Sequence, residues 1–102
     1  MGSPADLVDQ LKARGATLAT AESLTGGRVA ARVTNVPGSS AVYAGGVVSY
    51  QTEVKVRVLG VAAATVEEHG VVSAACAREM ADGARRLLGT TYAVSTTGVA
   101  GP

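Results

Sequence analysis

The sequence predicts an α/β domain, with helices packed on a mainly parallel sheet. Two patterns and one compositional fact lead there. Strand-length apolar runs alternate with segments of helical apolar spacing, in the order helix-strand-helix-strand-helices-strand, which is the pattern of an α/β layer. Each of the three runs ends in a turn carrying hydroxyl or glycine residues, and open α/β sheets bind ligands outside the carboxyl ends of their strands. Hydrophobic residues make up 47% of the 102-residue chain, so a core can form. Phe and Trp are absent, so that core must be built from Ala, Val and Leu.

The first helix is the best marked element. Ser3 can cap it, Pro4 suits its first position, and Asp6 stands three residues after the cap. Leu7, Val8 and Leu11 form its apolar face, Lys12 and Arg14 favour its C-terminal end, and Gly15 stops it. A first strand, about 17–21, runs into Glu22-Ser23-Leu24-Thr25-Gly26-Gly27. A second helix spans about 26–34, with Val29, Ala30 and Val33 apolar at helical spacing. The turn residues of 36–40 mark a loop. A second strand covers about 43–50, and its end, Val47-Val48-Ser49-Tyr50, is apolar enough for burial on both faces. Residues 53–58 alternate charged and apolar side chains, which favours a strand, although Thr52 is a good helix cap and Gly60 a good stop. A short helix covers 62–69 and is stopped by Gly70. Ser73 caps a longer helix whose buried stripe is Ala77, Met80, Ala81, Ala84 and Leu88, with Gly89 after it. The last strand, 92–96, leads into Thr97-Gly98-Val99-Ala100-Gly101-Pro102.

Composition excludes several classes of function. The net charge is +1 without a Lys/Arg cluster, so no electrostatic footprint for a phosphate backbone exists. Aromatic residues are only 3%, which argues against base stacking and hence against direct nucleic-acid binding. One cysteine, Cys76, excludes an internal disulfide and fits a reducing compartment. No apolar run is long enough to span a membrane, and charged residues interrupt the N-terminus where a signal peptide would be apolar. A soluble, cytoplasmic protein is the expectation. One His and one Cys do not make a metal-ligand set, so neither a metal nor a cofactor is expected.

The chemistry concentrates in the turn after the first strand. A carboxylate, two hydroxyls and two glycines sit together there. Glycines let the backbone approach a ligand, free helix N–H groups attract an anion, and a hydroxyl beside a base is a nucleophile. The same residues also fit a plain capping turn, in which Ser23 or Thr25 satisfies helix N–H groups. Parallel strands would bring this turn to one edge of the sheet with Ser49-Tyr50-Gln51-Thr52-Glu53-Val54-Lys55 and with Thr96-Thr97-Gly98. That edge would hold Ser23, Tyr50, Lys55 and Thr97. His69 is the only histidine and is expected at the surface, so a His-based triad is not available. On local pattern alone, Lys55 beside Glu53 reads as a solvated surface residue.

Six segments then match a known family in order. They are Thr20-Ala21-Glu22-Ser23-x-Thr25-Gly26-Gly27, Val36-Pro37-Gly38-Ser39-Ser40, Gly45-Gly46-Val47-Val48-x-Tyr50-x-x-Glu53-x-Lys55, Leu59-Gly60-Val61, Glu68-His69-Gly70-Val71-Val72-Ser73 and Thr97-Gly98-Val99-Ala100-Gly101-Pro102. Together they resemble the C-terminal domain of the competence/damage-inducible CinA proteins over residues 17–102. Leu24 stands where many relatives carry Cys, and Gln51-Thr52 replaces the more usual Ser-Asn. The resemblance implies a three-layer α/β/α sandwich, with a helix rather than a strand at 53–58. It also implies hydrolysis of the carboxamide of nicotinamide mononucleotide, giving ammonia and nicotinic acid mononucleotide. On that reading Ser23, Lys55 and Tyr50 are catalytic. Ser23 attacks the carbonyl, a desolvated Lys55 takes the serine proton, and Tyr50 relays that proton or positions the lysine. Glu22, Thr25, Gly26, Gly27, Ser39, Thr97, Gly98 and Gly101 bind substrate, with Glu22 meeting the ring charge or orienting Lys55.

Two other readings compete: a non-catalytic interaction protein of competence or DNA-damage response, and a nucleotide-binding fragment without chemistry. The family domain continues past the matching Gly-Pro, so residues 1–102 are expected to form a single domain lacking its last elements. Val94 and its neighbours on the last strand should then be uncovered, and a homo-oligomer is expected.

Overall fold

The computed structural model describes residues 2–98. In chain order they form α1 (Pro4–Arg14), β1 (Leu18–Glu22), α2 (Arg28–Thr34), a 3-10 turn (Ser39–Ala41), β2 (Tyr43–Val48), α3 (Thr52–Arg57), α4 (Ala63–His69), α5 (Ala74–Leu88) and β3 (Tyr92–Ser95). The three strands make one parallel sheet in the order β2-β1-β3.

Every residue of the central strand β1 is buried, and its alternation divides the core in two. Leu18 faces Val8 and Leu11 of α1, Val33 of α2, and Val42. Ala19 and Ala21 face Leu59, Val61 and the α5 residues Cys76, Met80 and Ala84. Helices therefore cover both faces, and the chain is an α/β/α sandwich. Small residues on β1 let α5 approach closely. Larger side chains such as Met80, Leu59 and Val61 fill the rest, each contributing about 1.5–3 kcal/mol on burial.

The caps follow the sequence closely. Ser3 Oγ accepts the Asp6 N–H at 3.1 Å, the Ser3 N–H donates back to the Asp6 carboxylate at 3.4 Å, and Gly15 closes α1 at φ +61°. Ser73 Oγ accepts the Cys76 N–H at 3.0 Å and starts α5.

Three expectations need correction. Residues 53–58 are helical rather than extended, as the resemblance implied and the alternation did not. The capping residue of α3 is Gln51, one position before Thr52. The alternation failed because the charged side chain of Lys55 is the one turned inward, while Val58 is 46% exposed. The end of the second strand is not buried on both faces. Among the described residues β2 lies at the sheet edge with alternating exposure, and Val48 is half exposed. On the other edge Tyr92 and Val94 are also about half exposed, as anticipated for the last strand.

Gly83 holds the loop after α3 in place. It lies in the middle of α5, where glycine is costly, and a Cβ there would collide with the main-chain carbonyl of Leu59. The missing side chain lets the 57–61 segment rest directly on α5. That contact fixes the height of α3, and with it Lys55, above the sheet.

Candidate active site

The carboxyl ends of β1 and β2 converge on one buried pair of side chains. Ser23 follows β1 directly and is 5% exposed; Lys55, from α3, is 2% exposed. Lys55 Nζ lies 3.0 Å from Ser23 Oγ. It also donates to the main-chain carbonyl of Ser49 at 2.6 Å and reaches that of Tyr50 at 3.4 Å. These three oxygens make burial of the amine tolerable. Among the described residues Lys55 forms no ion pair. Burial lowers its pKa from the ordinary lysine value, and the nearby Cys76 opposes that only in part. The neutral form suits the geometry well. Two N–H groups serve the two carbonyls, and the lone pair is left for the Ser23 hydroxyl.

The turn that carries Ser23 is held by Glu22. Its Oε1 accepts the N–H groups of Gly27 at 3.1 Å and Val29 at 2.9 Å, and its Oε2 accepts that of Ala30 at 3.0 Å. Burial alone would raise the Glu22 pKa. The N–H groups of Ala30 and Val29, the Thr25 side chain and the Gly27 N–H outweigh it, so the pKa lies below the ordinary glutamate value. Glu22 is thus the cap of α2, the role the sequence offered to Ser23 or Thr25. Its carboxylate fills the N–H groups that an anionic ligand would otherwise take. Gly26 and Gly27, at φ +59° and +109°, make the reversal from β1 into α2 that leaves Ser23 facing the lysine.

A pocket of about 310 Å³ opens on the Ser23–Lys55 pair. Leu24, Tyr50, Thr52, Val71 and Gly98 complete its lining. Tyr50 supplies its carbonyl to Lys55 and is otherwise 67% exposed. The segment after β3 is tied down by hydroxyls. Thr97 Oγ1 donates to the Val71 carbonyl at 2.6 Å, and the Thr25 and Thr96 hydroxyls lie 2.7 Å apart. This strap sets Gly98 against the Leu24 side chain.

The structure therefore gathers Ser23, Lys55, Tyr50 and Gly98 around one pocket, with Thr25 and Thr97 bracing its wall. It does not bring Ser39 there. Ser39 precedes β2, at the amino ends of the strands, and the adjoining Val42 carbonyl accepts the Leu18 N–H at the start of β1. Gly101 lies outside the described residues. Ser49 is the participant that residue-by-residue reading passed over. It is fully buried, gives both its N–H and its hydroxyl to the Glu22 carbonyl, and offers its own carbonyl to Lys55. Its one signal was a small hydroxyl residue at the end of a strand. Among the described residues no three His, Cys, Asp or Glu side chains cluster as a metal site, and no helix is long and apolar enough to cross a membrane.

The profile of the CinA C-terminal domain matches residues 3–102. The chain belongs to the CinA C-terminal domain family. A CinA-like protein of Salinibacter ruber is 56% identical over 96 residues, which are 94% of this chain and 23% of that protein. A putative competence-damage inducible protein of Caldanaerobacter subterraneus is 50% identical over 96 residues, again 94% of this chain and 23% of its own length. The chain thus spans under a quarter of the length of these curated CinA relatives. Among solved structures, a CinA superfamily protein from Escherichia coli superposes with a TM-score of 0.95 at 31% identity, covering 97% of this chain and 58% of that one. The competence/damage-inducible protein CihA from Agrobacterium tumefaciens gives 0.93 at 38% identity, covering 97% and 60%. The CinA fold is therefore shared over almost the whole chain.

Proposed function

We propose that this chain carries the serine–lysine centre of an amidohydrolase, and that its substrate is the carboxamide of nicotinamide mononucleotide. One observation supports this above the others: a buried lysine amine 3.0 Å from a buried serine hydroxyl, at the floor of an open pocket. Ser23 Oγ attacks the carboxamide carbon as neutral Lys55 Nζ takes its proton. The carbonyl π electrons move to oxygen. The Leu24 and Thr25 N–H groups donate to no other group among the described residues and are the nearest in sequence to receive that oxyanion. Collapse expels the amide nitrogen, which takes the proton from Lys55 and leaves as ammonia. Water then attacks the Ser23 ester and gives a proton to Lys55, which passes it to the departing Ser23 oxygen; the carboxylic acid product leaves and loses its remaining proton to solvent as the carboxylate. The pyridinium charge of the substrate draws electrons from the carboxamide and assists both attacks. Ammonia release from nicotinamide mononucleotide tests the assignment. Ser23→Ala should lower turnover by several orders of magnitude with an unchanged circular dichroism spectrum. A variant keeping more than about a tenth of wild-type turnover would remove Ser23 as the nucleophile.

A further inference from the structure

The chain has three tyrosines and no Phe or Trp, so few aromatic faces are available to any ligand. Tyr43 is occupied, its hydroxyl 2.6 Å from that of Thr20. Tyr92, on β3, lines a different pocket together with Leu7 and Leu11 of α1. Tyr50 alone lines the pocket of Ser23 and Lys55. Its phenol makes no hydrogen bond among the described residues; the contact with Lys55 comes from its main-chain carbonyl. The proton path from Ser23 to Lys55 is already direct, so a relay through the phenol has no step to perform. Among the described residues the pocket lining holds no carboxylate, and both Glu22 oxygens are committed to α2. A cationic ring entering this pocket meets no counter-ion among the described residues. Among the described lining residues one aromatic side chain is available, the exposed Tyr50, beside the apolar Leu24 and Val71.

We propose that Tyr50 is the ring-contact residue of this pocket: its aromatic face stacks on a cationic pyridinium, and its hydroxyl takes no part in proton transfer. The proposal rests on the amidohydrolase reading for the identity of the ring. The face of a tyrosine attracts a cation through its quadrupole, which corresponds to roughly five- to thirtyfold in affinity when the pair is partly desolvated.

The test uses the cation 1-methylnicotinamide and neutral nicotinamide as probes, titrated by proton NMR into wild-type protein, Tyr50→Phe and Tyr50→Leu. Wild type should bind the cation more tightly and shift its ring protons upfield. Tyr50→Leu should lose roughly five- to thirtyfold in cation affinity, and Tyr50→Phe, which keeps the ring, should restore it. With nicotinamide mononucleotide, the Leu variant should raise KM by a similar factor rather than abolish kcat. Three results would overturn the proposal: no preference of wild type for the cation, a Leu variant that binds it as well as wild type, or a Phe variant that binds it but loses kcat by orders of magnitude. If wild type releases no ammonia while cation binding still follows the ring at position 50, the amidohydrolase reading falls and the ring contact stands.

Discussion

Replacing Glu22 by Gln changes one atom of the side chain and should destabilise the domain severely. In the native turn Glu22 serves three N–H groups with two oxygens while 1% exposed. Gln keeps one oxygen for Gly27 and Val29 and turns an amide NH2 toward Ala30. Two donors then face each other where water does not enter. A buried donor left unmet costs about 1–3 kcal/mol, and loss of the negative charge at the start of α2 adds about 0.3–2 kcal/mol. The expected loss is about 2–4 kcal/mol, against a total stability of about 5–15 kcal/mol for a domain of this kind. At about 4–8 °C per kcal/mol, Tm should fall by about 8–32 °C. Urea unfolding followed by circular dichroism measures this at pH 7 and then at falling pH. The native Glu22 pKa lies below the ordinary value of 4.5, so its contribution is complete above that value and is lost as the pH falls through the native one. Protonated Glu22 resembles Gln, so the two proteins should converge in acid. A difference under about 0.5 kcal/mol at pH 7, or one that widens on acidification, would refute the capping argument.

Two further predictions concern the lysine and its support. The Lys55 pKa lies below its ordinary value of 10.5, so kcat/KM should fall as the pH drops through that lowered pKa, and Lys55→Arg, which cannot shed a proton at these pH values, should be inactive across the profile. The native amine binds its proton less tightly than the unfolded one. Folding stability should therefore rise with pH from the native pKa to about 10.5, and Lys55→Met should remove that slope. Gly83→Ala in an ordinary helix interior would stabilise by about 1 kcal/mol, but here the sign should reverse, because the Leu59 carbonyl occupies the space. A thermally stabilised Gly83→Ala protein would show that the 57–61 segment does not rest on α5.

Much of this arrangement was legible in the chain because local chemistry and tertiary packing agree there. Ser3, Asp6, Gly15 and Ser73 cap as their types predict, and the three strands fall within one or two residues of the expected runs. The strand-to-helix turn at 22–27 announced itself through two glycines that reverse the chain. Legibility failed where a long-range partner decided the outcome. Lys55 looks like surface because nothing within four residues shows the Ser23 hydroxyl and the Ser49 carbonyl waiting for it. Alternation over 53–58 favoured a strand for the same reason, since the inward residue carries a charge. Glu22 has a carboxylate that suits substrate or lysine equally well, and only the turn geometry commits it to α2. The end of the second strand, Val47-Val48-Ser49-Tyr50, reads as buried on both faces because its apolar content says nothing about how many neighbours the sheet provides. Ser39 was carried by motif alone, and the parallel connection places it at the opposite end of the strands.

The central position of β1 also bears on how slowly this site opens. Its amides and carbonyls pair with β2 on one side and β3 on the other, and the Ser49 and Thr96 N–H groups close the ladder at the carboxyl end. Edge strands can fray one at a time without releasing it. Hydrogen exchange at Ala19–Ala21 should therefore require global unfolding, whereas amides at the strap around Thr97 can exchange through local opening. The nucleophile is then anchored to the slowest-opening element of the domain. A ligand entering this pocket therefore meets a Ser23 hydroxyl whose position is set by the element least able to open locally.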